Sequence, residues 1–95
     1  MKKSYVFFYT DKVGSREAVK KLLDSIPEIS HWRFDMPNSF YLVSEESAEV
    51  LATKILQSTN NSGRFLITEY SENSQGWLTK QSWYLLNNKD YAPKK

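Results

Sequence analysis

The residues best suited to chemistry follow a short apolar run near the N-terminus. The run FFY leads directly into Thr10, Asp11 and Lys12. A carboxylate at the end of a strand can bind a hard cation such as Mg²⁺ or Mn²⁺, and Asp11 is the only catalytic candidate that we name. Aspartate is also common in the turn that follows a strand. Because side chains alternate across a strand, Asp11 is expected on the face of Tyr9, and Thr10 on the face of Phe8.

Other catalytic motifs are absent from the sequence. It contains no HExxH motif, no phosphate-binding glycine loop and no nucleophile elbow. It also contains no cysteine, which excludes disulfides and thiolate metal ligands. His31 is the only histidine. A lone histidine on an exposed strand is more often a surface residue than a general base, unless a carboxylate lies beside it. We therefore predict no metal site and no cofactor.

The basic residues favour a binding hypothesis. Lys12, Arg16 and Lys20 follow the first predicted strand, while Arg33 and Arg64 lie near a strand end or an edge. Lysine and arginine bind nucleic-acid phosphates without reading sequence, so the first four are our candidate nucleic-acid contacts. The net charge is only +2, from 13 basic and 11 acidic residues, which is too balanced to indicate nucleic-acid binding alone. The alternative for each residue is an ordinary solvated charge.

Length and composition indicate one small globular domain. The chain has 95 residues, of which 40% are apolar and 15% aromatic, and this apolar share distinguishes it from a disordered segment. The apolar stretch Tyr5 to Tyr9 is too short for the core of a signal peptide or for a membrane span. We therefore expect a cytoplasmic protein with no membrane partner.

Four strands and two helices account for residues 1–70. Strands are predicted at Lys3–Thr10, Ile29–Asp35, Ser39–Val43 and Arg64–Tyr70. Serine is a common helix cap, so helix one begins after Ser15 and helix two after Ser44 or Ser47. With right-handed crossovers, both helices lie on one face of an antiparallel sheet in the order 4-1-3-2. The predicted fold is therefore α+β, a ferredoxin-like βαββαβ sandwich.

The second face of this sheet needs a cover. The first and third strands are apolar on both faces, and monomers rarely leave a large apolar patch in water. A second copy packed face to face would cover it and form a closed two-fold dimer. Val6, Phe8 and Thr10 share that face and are our candidate dimer-interface residues.

The alternative cover is the C-terminal extension, residues 71–95. Thr79 can cap a short helix there, and Trp77 and the apolar residues after it are expected to be buried. The extension would pack on its own domain or on the dimer partner. The polar end, from Asp90 to Lys95, is expected to fray.

The whole pattern resembles a family of small bacterial proteins. The strand ending FFYTDK, the paired strands HWRFDMPNSFYLV and the ending GWLTKQSWYLL are similar to those of the SinR family. These are Cas-two-like ferredoxin folds, distinct from the helix-turn-helix sporulation repressor of the same name. The likeness covers most of the chain, and GWL…SWYLL is its most specific part. The wider relatives are the CRISPR-associated Cas-two proteins and the VapD-type ribonuclease toxins.

The resemblance implies a homodimer with nucleic-acid involvement. In Cas-two proteins strand one typically ends Tyr-Asp, and the two aspartates meet at the dimer interface and are associated with a metal ion. The match to Tyr9 puts Thr10 at that position and Asp11 one residue later. A neutral hydroxyl is a poor replacement for a carboxylate in binding a hard cation.

From residues and resemblance together we expect a dimeric binding protein for RNA or DNA rather than an enzyme. One alternative is a metal-dependent endoribonuclease of Cas-two or VapD type that uses Asp11 with Mg²⁺ or Mn²⁺. Another is a protein-interaction component of a toxin–antitoxin or defence system, with a protein partner encoded nearby.

Overall fold

The chain alternates strands and helices and ends in a third helix. The computed structural model describes residues 1–90, so the predicted fraying beyond Asp90 lies outside the described residues. The elements are β1 (Lys3–Tyr9), α1 (Arg16–Asp24), β2 (Ile29–Phe34), β3 (Ser39–Ser44), α2 (Ala48–Thr59), β4 (Phe65–Glu69) and α3 (Lys80–Asn88).

The four strands form one antiparallel sheet in the order β2-β3-β1-β4. Read from its other edge, this order is 4-1-3-2, so each strand has the neighbours that the sequence predicted. Phe7 of β1 lies opposite Phe40 of β3 and Ile67 of β4, which fixes the register at the centre of the sheet. This small α+β arrangement is consistent with a ferredoxin-like fold.

The helices α1 and α2 cover one face of the sheet and form the main core. Ser15 and Ser47 cap them by accepting the backbone N–H of Ala18 and Val50. The core is rich in aromatic rings, which bury much area per side chain. Its fully buried members include Tyr5, Phe7, Val19, Leu23, Phe40, Leu42, Leu51 and Ile55.

The helix α3 lies on the opposite face of the sheet. Thr79 caps it as predicted, because its side chain accepts the backbone N–H of Ser82. Leu85 and Leu86 pack against Tyr41 and Val43 of β3 in a second, smaller core. The described part of the C-terminal extension therefore packs on its own domain through α3. None of the helices within residues 1–90 combines the length and the apolarity that a membrane span requires.

Candidate functional site

Only part of the second sheet face is covered. The helix α3 contacts β3 and β1, and its polar contacts reach β2. Within residues 1–90, no helix covers the half formed by the end of β1 and by β4, and 45% of Phe8 and 59% of Leu66 are exposed. We call this area the open half-face and define it by Phe8, Met36, Leu66 and Thr68, all of which are exposed.

Polar contacts fix the position of α3 and so decide which half stays open. The buried Ser82 hydroxyl accepts a hydrogen bond from Arg33 Nε at 2.9 Å and donates to Asp35 Oδ2 at 2.8 Å. At the other end of the helix, Ser4 Oγ donates to the carbonyl oxygen of Leu86 at 2.8 Å. A buried hydroxyl with both partners satisfied is costly to displace. These contacts attach the first turn of α3 to β2 and its last turn to β1, so that the helix lies across β3.

Two further side chains beneath α3, Tyr41 and His31, lie close to carboxylates. Burial raises the pKa of Tyr41 to about 12, and the nearby Asp35 carboxylate acts in the same direction. His31 Nε2 lies 3.0 Å from Asp90 Oδ1 just after α3. The histidine–carboxylate pair that the sequence left open is therefore present. It joins the helix end to β2, away from Asp11 and the open half-face.

An apolar cleft of about 390 Å³ lies between the open half-face and the chain that leads into α3. Val6, Phe8 and Tyr41 form its floor, and residues 74–78 form one wall. Trp77 belongs to that wall, yet 98% of it is exposed. The prediction that Trp77 is buried is therefore wrong for the single chain, although Leu78 and Trp83 pack against the second core as expected.

Basic residues converge at one end of the open half-face. The Thr10 backbone N–H donates to the carbonyl oxygen of Arg64 at 2.9 Å, and the Arg64 N–H donates to Thr10 Oγ1 at 3.1 Å. This pairing brings Arg64 beside Lys12, and both line one surface depression with Asp11. Gly63 allows the close approach, because a Cβ there would lie 2.7 Å from the Val13 nitrogen.

The other three predicted nucleic-acid contacts lie in different surroundings. The Arg16 guanidinium lies 4.3 Å from the centre of the Phe34 ring, at the start of α1 and on the helix-covered side of the sheet. Lys20 Nζ lies 3.4 Å from a Glu17 carboxylate oxygen. Arg33 lies under α3 and donates to Ser82. The structure therefore joins Lys12 to Arg64 but does not bring Arg33 to the same surface.

Asp11 lies in a turn just beyond β1, as its offset from Tyr9 predicted. Its Oδ1 accepts a hydrogen bond from Asn38 Nδ2 at 2.9 Å, and the same amide donates to the carbonyl oxygen of Tyr9. Asn38 has a left-handed φ of 61°, which asparagine tolerates better than most residues. The Asp11 carboxylate thus ties the β2–β3 turn to the end of β1.

Polar side chains surround Asp11 at the end of β1. Asp11, Arg16 and Asn38 line a depression of about 250 Å³ beside Tyr9. Burial raises the pKa of Tyr9, the Arg16 guanidinium opposes that rise and the Asp11 carboxylate adds to it. Among residues 1–90, no three histidine, aspartate or glutamate side chains are grouped closely enough to hold a metal ion.

Comparison with known proteins adds no assignment. The chain matches no family model, no curated protein and no solved structure.

Two features of this site were not singled out from the sequence. Leu66 lies in an apolar strand whose alternation indicates one inward and one outward face, but not whether the outward face is covered. Met36 lies in a predicted turn, where an exposed side chain is expected and indicates no site. The signal available for Leu66 was its predicted position opposite Phe8, because cross-strand neighbours share a face, whereas Met36 lies in the turn between β2 and β3 and has no such signal.

Proposed function

We propose that this protein is a homodimeric, Cas-two-like binding protein of the ferredoxin-like class that binds nucleic acid in the cytoplasm without cleaving it. The observation that carries the proposal is the convergence of Lys12 and Arg64 at the edge of the open half-face. Residues 52 positions apart in the chain supply two cations to one surface at the rim of the open half-face. Cations at the rim of a dimer can contact the phosphates of a flexible single strand without reading its sequence.

The dimer part of the proposal rests on the apolar open half-face. Phe8 and Leu66 lie opposite one another on adjacent strands and are both exposed. Contact with a second copy would remove them from water, and a two-fold axis would place two Lys12–Arg64 pairs on one particle. Val6 takes a smaller share of this surface than predicted, because its own α3 core partly covers it. Thr10 remains exposed at the basic end.

Salt dependence tests the nucleic-acid part. The double variant Lys12→Gln/Arg64→Gln removes two cations from each subunit and four from a dimer. Each phosphate contact to a single strand contributes about 0.7 to the slope of log affinity against log salt. The variant should therefore reduce that slope by about 3 if all four cations contact phosphates, and should weaken binding to unrelated RNA sequences alike.

The matched control removes the same charge elsewhere. Lys21 lies in the last turn of α1, and Lys54 pairs with Glu28 at 3.1 Å on the helix-covered side. Lys21→Gln/Lys54→Gln should leave the slope nearly unchanged. Equal losses in both double variants would show that only net charge matters. Absence of binding to either RNA or DNA by the unmutated protein at low salt would contradict the nucleic-acid proposal.

The dimer part has its own test. Phe8→Glu places a charge on the open half-face, where the single chain tolerates it because Phe8 is already 45% exposed. The variant should keep its folded circular dichroism spectrum yet sediment as a monomer, with a lower melting temperature because it loses the stabilisation that dimerisation supplies. An unmutated protein that sediments as a monomer at all concentrations would contradict the dimer.

A further inference from the structure

We propose that each subunit of the homodimer inserts Trp77 into the apolar cleft of the other, so that two identical subunits exchange tryptophans across a two-fold axis. This inference rests on the proposed homodimer and specifies how its subunits recognise one another. It assigns an occupant to the cleft and a function to the one tryptophan that the single chain leaves outside its cores.

Trp77 is suited to be the inserted group. It is 98% exposed, whereas Trp32 and Trp83 both pack against a core. It lies between β4 and α3 in residues 71–79, which form neither helix nor strand. Its neighbour Leu78 packs against the second core, so the loop is anchored next to the ring. Tryptophan is also the residue type most often found at the energetic centre of protein interfaces.

The cleft is suited to receive an indole ring. Its volume is about 390 Å³, and its lining is mainly apolar, with Phe8, Tyr41 and Trp83 offering aromatic surfaces. Aromatic pairs add to the stability gained from burial alone. A buried indole N–H needs an acceptor, and the wall supplies Ser74 and the Gln75 side chain.

The size of the apolar surface is in the range that a dimer needs. A large aromatic side chain has roughly 150–250 Å² to bury, so Trp77 and the exposed part of Phe8 give on the order of 300 Å² per subunit. The exposed parts of Leu66 and Met36 raise this to roughly 500 Å². A standard interface buries about 800 Å² per partner with a polar rim around its apolar core.

The pattern of charge and shape favours a second copy over an unrelated protein. The same patch carries both the projecting ring and the cleft, which is the self-complementarity that a two-fold interface requires. The exposed Arg64 precedes β4 and the exposed Glu72 follows it. A two-fold axis that lies between the packed faces and perpendicular to β4 therefore places the basic end of each β4 over the acidic end of the other, with Arg64 at the solvent-accessible rim, where it can also contact phosphate.

Complementation between two variants tests the exchange. Trp77→Ala removes the ring and the part of its own cleft wall that the ring forms, but leaves the apolar floor of the cleft, whereas Met36→Glu keeps the ring and places a carboxylate at the cleft. Both positions are exposed in the single chain, so both variants should fold. Each variant alone should dimerise at least ~30-fold more weakly than the unmutated protein, as expected for loss of an interface hot spot. A mixture should form heterodimers, because one intact ring–cleft contact is restored.

Leu56→Ala is the control, because Leu56 is 39% exposed on α2, away from the cleft. Sedimentation should show its dimer unchanged. If Trp77→Ala dimerises as strongly as the unmutated protein, or if the mixed variants form no heterodimer, the exchange is wrong while the dimer stands. If the unmutated protein is a monomer at every concentration, both fail. RNA binding by Lys12 and Arg64 is measured separately and distinguishes these failures from failure of the nucleic-acid proposal.

Discussion

The helix α3 divides the second sheet face into a covered and an open half. One substitution measures how much the packing of α3 on the sheet contributes to the free energy of unfolding. Leu85→Ala removes three buried carbons from the second core, where Leu85 is 1% exposed. At about 0.8 kcal/mol for each buried CH₂ group, the transfer contribution is about 2.4 kcal/mol. A residual cavity between α3 and Tyr41 adds to this value, so the expected loss of unfolding free energy is ~3 kcal/mol.

The same chemical change at Leu56 gives the comparison. Leu56 is 39% exposed, and solvent fills the space left by its side chain, so the cost should be only ~1 kcal/mol. For a domain of this size, 1 kcal/mol corresponds to a shift of about 4–8 °C in melting temperature. Leu85→Ala should therefore melt at least about 12 °C below the unmutated protein, and Leu56→Ala within about 8 °C of it.

Urea unfolding followed by far-ultraviolet circular dichroism supplies the free energies. Amide hydrogen exchange then shows where the loss occurs, because a docked α3 should unfold with the sheet rather than before it. If Leu85→Ala costs no more than Leu56→Ala, or lowers protection only within Lys80–Asn88, then α3 is not part of the cooperative domain. The distinction between covered and open halves would then lose its basis.

Three further predictions concern the surroundings of the open half-face. Incubation of Asp11→Asn and the unmutated protein with RNA and DNA in Mg²⁺ or Mn²⁺ should show no metal-dependent cleavage by either; cleavage abolished by the substitution would establish the endoribonuclease alternative. The raised pKa of Tyr41 makes stability fall as pH rises from about 10 to about 12, because the folded protein holds that proton longer than the unfolded chain. Alkaline titration of Tyr41→Phe should show a shallower fall, and an unchanged slope would contradict the assignment. Gly63→Ala should cost at least ~1–2 kcal/mol in thermal melts, since Gly63 has a φ of 74° and faces Val13, whereas Gly76→Ala has open space and should cost almost nothing.

The strand order of the sheet was predictable because the sequence of apolar and polar residues along each strand indicates which of its faces are buried. The doubly apolar β1 and β3 lie at the centre, and the alternating β2 lies at an edge, as their residues indicated. Ser15 and Thr79 cap their helices because each side-chain oxygen accepts a backbone N–H of the first helical turn. These inferences need only short-range physics.

The contents of the candidate site depend on contacts that a local pattern does not contain. Arg33 was grouped with Lys12 because both are basic and near strand ends, yet β2 points Arg33 toward Ser82, 49 residues later in the chain. Arg64 meets Thr10 across a similar interval. The exposure of Trp77 depends on the path of residues 71–79. That segment has no periodic pattern that predicts its direction.

The polar attachment of α3 explains why the cover is partial. A purely apolar helix could slide across Val6, Tyr41 and Phe8, since hydrophobic contact is not directional. The paired hydrogen bonds of Ser82 with Arg33 and Asp35 are directional and exist only over β2. Moving α3 toward β4 would break these hydrogen bonds and leave Arg33 and Asp35 without them in a partly buried place, which carries a desolvation cost. The open half-face therefore results from the position of these polar contacts over β2. A second subunit can cover the open half-face without breaking them.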